Sequence, residues 1–447
     1  MKNKKRTITA IAILYTASLF AQQNNFTLKN YIIDAIKNKS NIASLNMLSE
    51  IEALKTAQLN AGFLPQVSLA YDVIYNPIIR SSIVPVGKFN PTPTDEVRAI
   101  KFGTNFQQSL GVQAYQPIID ATIKSKIAES KIQQKIKLTD IKVATEELVY
   151  EVSKTYINGY VKQQEAKENA RDTNRTLQNL LLVKAKFDEG KILKTEVNKA
   201  QINHNNAVEI YRNTFIALTQ EKIYLAFLTN KKVEQILIND NDEALKEANL
   251  NWVKDINQTD SLANIEQLNN NIDFTKQLIN SEKTKYKATI GLNGYLGVDQ
   301  FTRNMNPLAS SSWFGNSFVG VSVKLPILLS ENKANKTSQY QLQIKNYSLQ
   351  KNEIIREAET NKLIAQNEID NIKAAYDNAK ANADLYKETL YILQERLKEG
   401  QITNYEVNIE AQAYQKEIEK LTTIKAALWL QWLNILKSNG LLKKLYN

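Results

Sequence analysis

The chain states one pattern twice, about 210 residues apart, and that constrains its fold more than any other feature. Glu189-Gly190-Lys191-Ile192, followed by Glu196-Val197-Asn198, returns as Glu399-Gly400-Gln401-Ile402 and Glu406-Val407-Asn408, every shared residue displaced by 210. Upstream, Gly111-Val112 and Pro117-Ile118 recur as Gly320-Val321 and Pro326-Ile327, displaced by 209, while Val67 and Leu69 match Ile290 and Leu292 at 223. The displacement changes by 14 between the last two matches, which places one insertion in the first copy, between residues 70 and 110. A duplication with a single variable connection predicts two copies of one structural unit that differ at a surface loop.

Glycine and proline divide each copy into two kinds of backbone. Of the 21 Gly and Pro residues, 17 fall in the windows 62–117 and 291–326, and no proline occurs from 118 to 306 or from 327 onward. An interior proline costs a helix ~3 kcal/mol, so the proline-free stretches are where long helices can run. From Ile355 the positions Ala358, Lys362, Ala365, Ile369, Ile372, Tyr376, Ala379, Ala383, Tyr386, Leu390, Leu393 and Leu397 follow alternating steps of three and four. This heptad seam, rich in small residues, suits close helix packing. Helices from about 118 to 187 and 330 to 397 would each be ~100 Å long at ~1.5 Å per residue. Each breaks at Gly190 or Gly400 and re-enters a helix, giving a helical hairpin with the repeated motif at its tip.

The Gly/Pro windows follow the period of a strand. Val67, Leu69, Tyr71 and Val73 alternate with Ser68, Ala70 and Asp72; Phe106, Leu110, Val112 and Ala114 oppose Gln107, Ser109, Gly111 and Gln113. In the second copy Ile290, Leu292, Leu296 and Val298 oppose Thr289, Asn293 and Asp299, and Val319, Val321, Val323 and Leu325 oppose Gly320, Ser322 and Lys324. Four strands of about ten residues match the transmembrane β-barrel pattern. A half-buried sheet in a water-soluble domain has the same alternation. If the strands do span a membrane, four are too few to close and the chain must oligomerise, because open edges do not survive in lipid.

Lys2, Lys4, Lys5 and Arg6 precede an apolar run from Ile8 to Phe20 and then Ala21-Gln22-Gln23. That is the layout of an export signal cleaved after Ala21, too short for a permanent membrane helix. Its removal takes four basic residues and no acid, lowering the net charge from +11 to +7. Export makes nucleic acid a poor partner for this surplus. With no cysteine the chain has no disulfide, no thiolate metal site and no lipidated N-terminal Cys.

The combination resembles the TolC-type outer-membrane efflux channels over residues 26–440. The residues that carry the likeness are Ala61-Gly62-Phe63-Leu64-Pro65 entering the first strand, Gln116-Pro117-Ile118-Ile119 leaving the second, and the motif at Gly190 and Gly400. The resemblance implies an α+β membrane protein in which three chains each give four strands to one 12-stranded barrel, continuous with a long α-helical periplasmic barrel. Residues 1–21 would then be the signal, and residues 22–230 a first repeat with its strand pair at 64–116 and its tip near 190. Residues 231–257 would form an irregular equatorial segment. Residues 258–447 would be the second repeat, with its strand pair at 288–326 and its tip near 400. Loops 76–104 and 302–316 would face outside the cell.

The likeness further implies a passive exit duct of a tripartite efflux or type I secretion system, fed by an inner-membrane pump of the RND or ABC type. A periplasmic adaptor would dock at the tips through Gly190, Ile192, Gly400 and Ile402. Glu196 and Glu406 fall where the family places acids at the periplasmic constriction. Taken by themselves, they also suit the first turn of a helix. The family's second acid is Ile409 here, and Leu397 and Ile402 stand where some relatives carry a locking tyrosine and arginine.

No enzyme signature accompanies this pattern. His204, the one histidine, lies between two asparagines and reads as a surface residue, and no metal or cofactor site is expected. Gly291, Gly294 and Gly297 fall inside a strand pattern and read as wall spacing, not as a phosphate loop. An exported coiled-coil stalk or adhesin shares the heptads but does not need two matched strand pairs. Tyr31, Tyr71, Tyr75, Trp313 and Phe314 are candidates for interfacial belts, and Trp429 and Trp432 for helix packing.

Overall fold

The computed structural model describes residues 26–89, 91, 92, 94–240, 242, 245, 262–308, 313–327 and 333–446. The expected signal at 1–21 and most of the equatorial segment at 231–257 lie outside them. The chain divides into two compact units, one of Met1–Ser49, Ile136–Asn270 and Tyr347–Asn447, the other of Glu50–Lys135 and Asn271–Asn346. In chain order the helices are α1 (Leu28–Asn38), α2 (Ser40–Ala61), α3 (Ala121–Asp188), α4 (Lys194–Thr229), α5 (Ala263–Thr284), α6 (Lys333–Lys398) and α7 (Asn404–Ser438). The strands are β1 (Gln66–Tyr75), β2 (Ser81–Val84), β3 (Arg98–Lys101), β4 (Phe106–Ile119), β5 (Thr289–Thr302) and β6 (Trp313–Lys324).

In the first unit the core gathers on α1, a short amphipathic helix capped by the Thr27 hydroxyl, which accepts from the Asn30 N–H at 3.4 Å. Its Leu28, Tyr31, Ile32 and Ala35 are fully buried against Val152, Tyr156 and Ile157 of α3, Leu225 of α4 and Leu433 of α7. Each such aliphatic side chain contributes about 1.5–3 kcal/mol by leaving water. Buried Asp242 accepts from the Leu28 N–H at 2.6 Å, satisfying one of the orphan donors at the start of α1. Tyr31 is therefore a core residue, not part of an interfacial belt. Its hydroxyl donates to the Leu237 carbonyl at 2.8 Å and accepts from the Leu237 N–H at 3.0 Å, and burial pushes its pKa up to about 12.

The two long helices expected at about 118–187 and 330–397 form as single helices of 68 and 66 residues, α3 and α6. Along α6 the buried positions are Ala358, Ala365, Ile369, Ala379 and Ala383, all members of the expected seam; small side chains there let neighbouring backbones approach closely. Trp429 is buried, its ring meeting Tyr160 edge-on at 5.4 Å. His204 departs from the surface reading: it is half-buried, with Nδ1 3.2 Å from the Thr176 hydroxyl, so it helps join α3 to α4.

In the second unit β1, β4, β5 and β6 form one antiparallel sheet in that order. The connection after β1 holds a small antiparallel pair, β2 with β3, where only a loop was expected. Hydroxyl contacts tie the flanking helices together: Thr56 to Ser130 at 2.8 Å and Ser125 to Ser281 at 2.6 Å.

Candidate functional site

Strand register sorts the sheet into two chemically different faces. Leu69 pairs with Val112 and Val112 with Leu296, while Leu292 pairs with Val321, so these side chains share one face. They lie open: Leu69, Leu296, Val321 and Val323 are all exposed, and Val319 is 88% exposed. On the other face Ser68, Gln113 and Tyr295 stand in one cross-strand row and Asp72, Ser109 and Asp299 in another. These residues line a groove of about 600 Å³. Asn316 donates to Asp299 at 2.9 Å. Tyr295 lies flat along this wall, stacked on Phe318 with ring centroids 5.9 Å apart. A Cβ added at Gly111 would fall 2.6 Å from the Tyr295 ring, so that glycine is what lets the tyrosine lie down.

Among the described residues both edge strands, β1 and β6, have a neighbour on one side only. Their outer backbone groups and the exposed apolar face make this sheet a poor object to leave in water.

Sequence reasoning missed one feature of the apolar face. Gln108 and Gln300, paired across β4 and β5, occupy apolar-phase positions yet are 0% exposed. Tyr71 donates to Gln108, Gln108 donates to Gln300 at 2.7 Å, and Gln300 donates to the Asn306 carbonyl at 2.9 Å. Every polar atom in this chain of contacts finds a partner, which is what allows amides to be buried there.

At the hairpin tips Gly190 has φ +74° and Gly400 φ +73°. Each closes a helix in the same way: Gly190 N–H to Phe187 O at 2.8 Å and Lys191 N–H to Lys186 O at 2.9 Å, matched by Gly400 to Leu397 at 3.0 Å and Gln401 to Arg396 at 2.9 Å. This paired bonding is the Schellman stop, and it requires a left-handed residue. Ile192 is half-buried against Leu180, Val183, Val197 and Ala200. Ile402 is half-buried as well.

The two glutamates begin the returning helices in different company. Glu406 forms a capping box: its carboxylate accepts from the Thr403 N–H at 2.8 Å and the Thr403 hydroxyl at 3.0 Å, and its own N–H donates to that hydroxyl at 3.4 Å. These bonds, the backbone one foremost, hold its pKa below the usual carboxylate value. Glu196 follows Leu193, which has no capping side chain, and pairs instead with Lys199 at 3.0 Å. Glu196 also borders a groove of about 370 Å³ together with Tyr405, Asn408 and Ile409 of α7. Across the same region Arg175 donates to Asn408 at 2.8 Å.

No family model matches the sequence, and no curated protein sequence matches it either. Solved structures do match. The Campylobacter jejuni CmeC outer membrane channel is 16% identical with a TM-score of 0.68, covering 92% of this chain and 85% of that one. The Vibrio cholerae outer membrane protein VceC is 11% identical at 0.67, covering 92% and 96%. The open state of the Neisseria gonorrhoeae MtrE outer membrane channel is 14% identical at 0.67, covering 93% and 89%. The fold is that of the TolC-type outer-membrane channels.

Proposed function

We propose that this chain is one third of a passive exit duct in the outer membrane of a Gram-negative bacterium, with a large periplasmic portion. One observation carries the reading: a four-stranded sheet whose two edges have no partner strand among the described residues, one face exposing valines and leucines along its length and the other lined by Ser, Gln, Asn and Asp. Lipid accepts that apolar face and rejects the open edges. Three chains of four strands each would close a 12-stranded barrel with its polar face around water. The fold shared with outer membrane channels supports this arrangement. A coiled-coil stalk would account for the helices but leaves the apolar face without an occupant.

In this reading the helices of the three chains form the periplasmic barrel, and Glu196 and Glu406 contribute six carboxylates at its entrance. The tip residues Gly190, Ile192, Gly400 and Ile402 receive a periplasmic adaptor, and an inner-membrane pump of the RND or ABC type supplies the energy. The test is assembly and conductance. Mature protein in mild detergent is expected to run as a heat-sensitive trimer and to form ion-conducting channels in a planar bilayer. A stable detergent-solubilised monomer with full β content, or a trimer that never conducts, would overturn the proposal.

A further inference from the structure

The described part of the connection from β5 to β6, residues 303–308, is fastened to the apolar face of the sheet. Gln300, on that face, donates to the Asn306 carbonyl at 2.9 Å, and Trp313, on the same face, donates its indole N–H to the Pro307 carbonyl at 3.3 Å. Between and beside these two anchors, Arg303 and Met305 are exposed and Leu308 is 93% exposed. The β1 to β4 connection leaves the same end of the sheet, since Tyr75 pairs with Phe106 and Phe106 with Thr302.

Charge at this end is one-sided. The described parts of the two connections hold five basic residues (Arg80, Lys88, Arg98, Lys101 and Arg303) against Asp95 and Glu96. Lys88 and Arg98 are each matched by one of these acids, at 3.8 and 3.0 Å. That leaves Arg80, Lys101 and Arg303 in excess. Exposed apolar side chains interleaved with uncompensated cations, just beyond an apolar band, match the membrane boundary, where acyl chains give way to phosphates.

We infer that this end of the sheet selects lipids whose phosphate headgroups carry net negative charge over zwitterionic ones, with Leu308 and Met305 in the acyl region and Arg303, Arg80 and Lys101 on the uncompensated phosphates. The inference rests on the reading of the sheet as a membrane wall and adds to it a lipid class and the residues that select it. The test uses the full mature protein in phosphatidylcholine vesicles, with trace spin-labelled phosphatidylglycerol or phosphatidylcholine reporting lipid held against the protein.

Wild type is expected to immobilise the anionic lipid several-fold in preference to the zwitterionic one. The variant R80Q/K101Q/R303Q is expected to lose the preference while immobilising the same total amount of lipid. L308S should weaken retention of phosphatidylglycerol with all three cations in place. Equal retention of both lipids by wild type, or an undiminished preference in the triple variant, overturns the inference and leaves the membrane wall standing. Failure to immobilise either lipid removes the wall and the inference together. A triple variant that changes nothing here but loses capture of a secreted protein would assign the patch to a protein partner instead.

Discussion

Placing an arginine at successive outward positions of β6 distinguishes a membrane wall from a sheet in water, because only lipid makes the cost depend on depth. The strand has 12 residues, Trp313 to Lys324. At ~3.3 Å per residue it is roughly 40 Å long, and a tilt of ~40° reduces its height to about 30 Å, enough to cross an apolar band ~25 Å tall. Val319 lies near the middle and Val323 one residue from the end, both exposed on the apolar face. Arginine costs about 2–4 kcal/mol near the midplane and about 0–1 near an interface, so V319R should destabilise each chain by the former and V323R by the latter. Three copies raise this to roughly 6–12 against 0–3 kcal/mol for a closed barrel. V321R should fall between them, and S322R, on the polar face, should cost little. The assay is a urea titration of protein reconstituted in vesicles, read by the loss of heat-sensitive trimer on gels. In water V319R, V321R and V323R are all exposed substitutions, expected within about 0.5 kcal/mol of wild type. A flat series would refute the membrane reading.

The turn at the first tip can be tested with a residue the chain already uses: Asn230 ends α4 at φ +53°, with the Lys231 N–H bonded to Ala226 O at 3.0 Å. G190N should therefore leave amide exchange at Gly190-derived and Lys191 positions nearly unchanged, while G190V, at about 1–2 kcal/mol for a left-handed L-residue, should speed it roughly five- to thirtyfold; equal rates in the two variants would show that φ does not control the turn. At the second tip T403A removes the cap and should cost about 1 kcal/mol, read as faster exchange at the Glu406 amide. Glu406 has a depressed folded pKa, so its contribution is present above the unfolded carboxylate value and lost as pH falls through the folded one. In acid the gap between wild type and T403A should narrow without closing, because the Thr403 hydroxyl still accepts from the Glu406 N–H after its bond to the carboxylate is lost, and a gap unchanged by pH would show that the carboxylate adds nothing to the cap.

Long helices and alternating strands were readable because each is a local pattern repeated over many residues. Gly190 and Gly400 were readable because a single φ constraint selects one residue type. The misses share a different cause. Tyr31 sits on a short helix whose burial depends on Tyr156 and Leu237, both more than a hundred residues away, so its count among the tyrosines said nothing of its place. The Gln108–Gln300 pair is separated by 192 residues. Its only local trace is a glutamine in apolar phase on each of two strands, which the alternation alone treats as a defect. β2 and β3, at four residues each, are too short for periodicity to register. Asn230 carried a usable signal, since asparagine is the other residue that tolerates a left-handed helix end.

The two tips keep the same turn but carry opposite charge, and this bears on the proposed gate. Over matched windows displaced by 210, residues 186–200 hold Lys186, Lys191, Lys194 and Lys199 against Asp188, Glu189 and Glu196, a balance of +1. Residues 396–410 hold Arg396 and Lys398 against Glu399, Glu406 and Glu410, a balance of −1. Where Glu196 has Lys199 at 3.0 Å, the second copy has Ile409 at the corresponding place. The Thr403 cap also keeps Glu406 ionised to lower pH. In a trimer the cation-attracting field at the entrance would then come mainly from three copies of Glu406. Multivalent cations added from the periplasmic side should block current through the purified channel; E406Q should relieve most of that block and E196Q much less, with the trimer intact in both. Recovery of current with E196Q equal to or above that with E406Q would show that the local charge balance does not set the field, and an unchanged block in the double variant would place the constriction elsewhere.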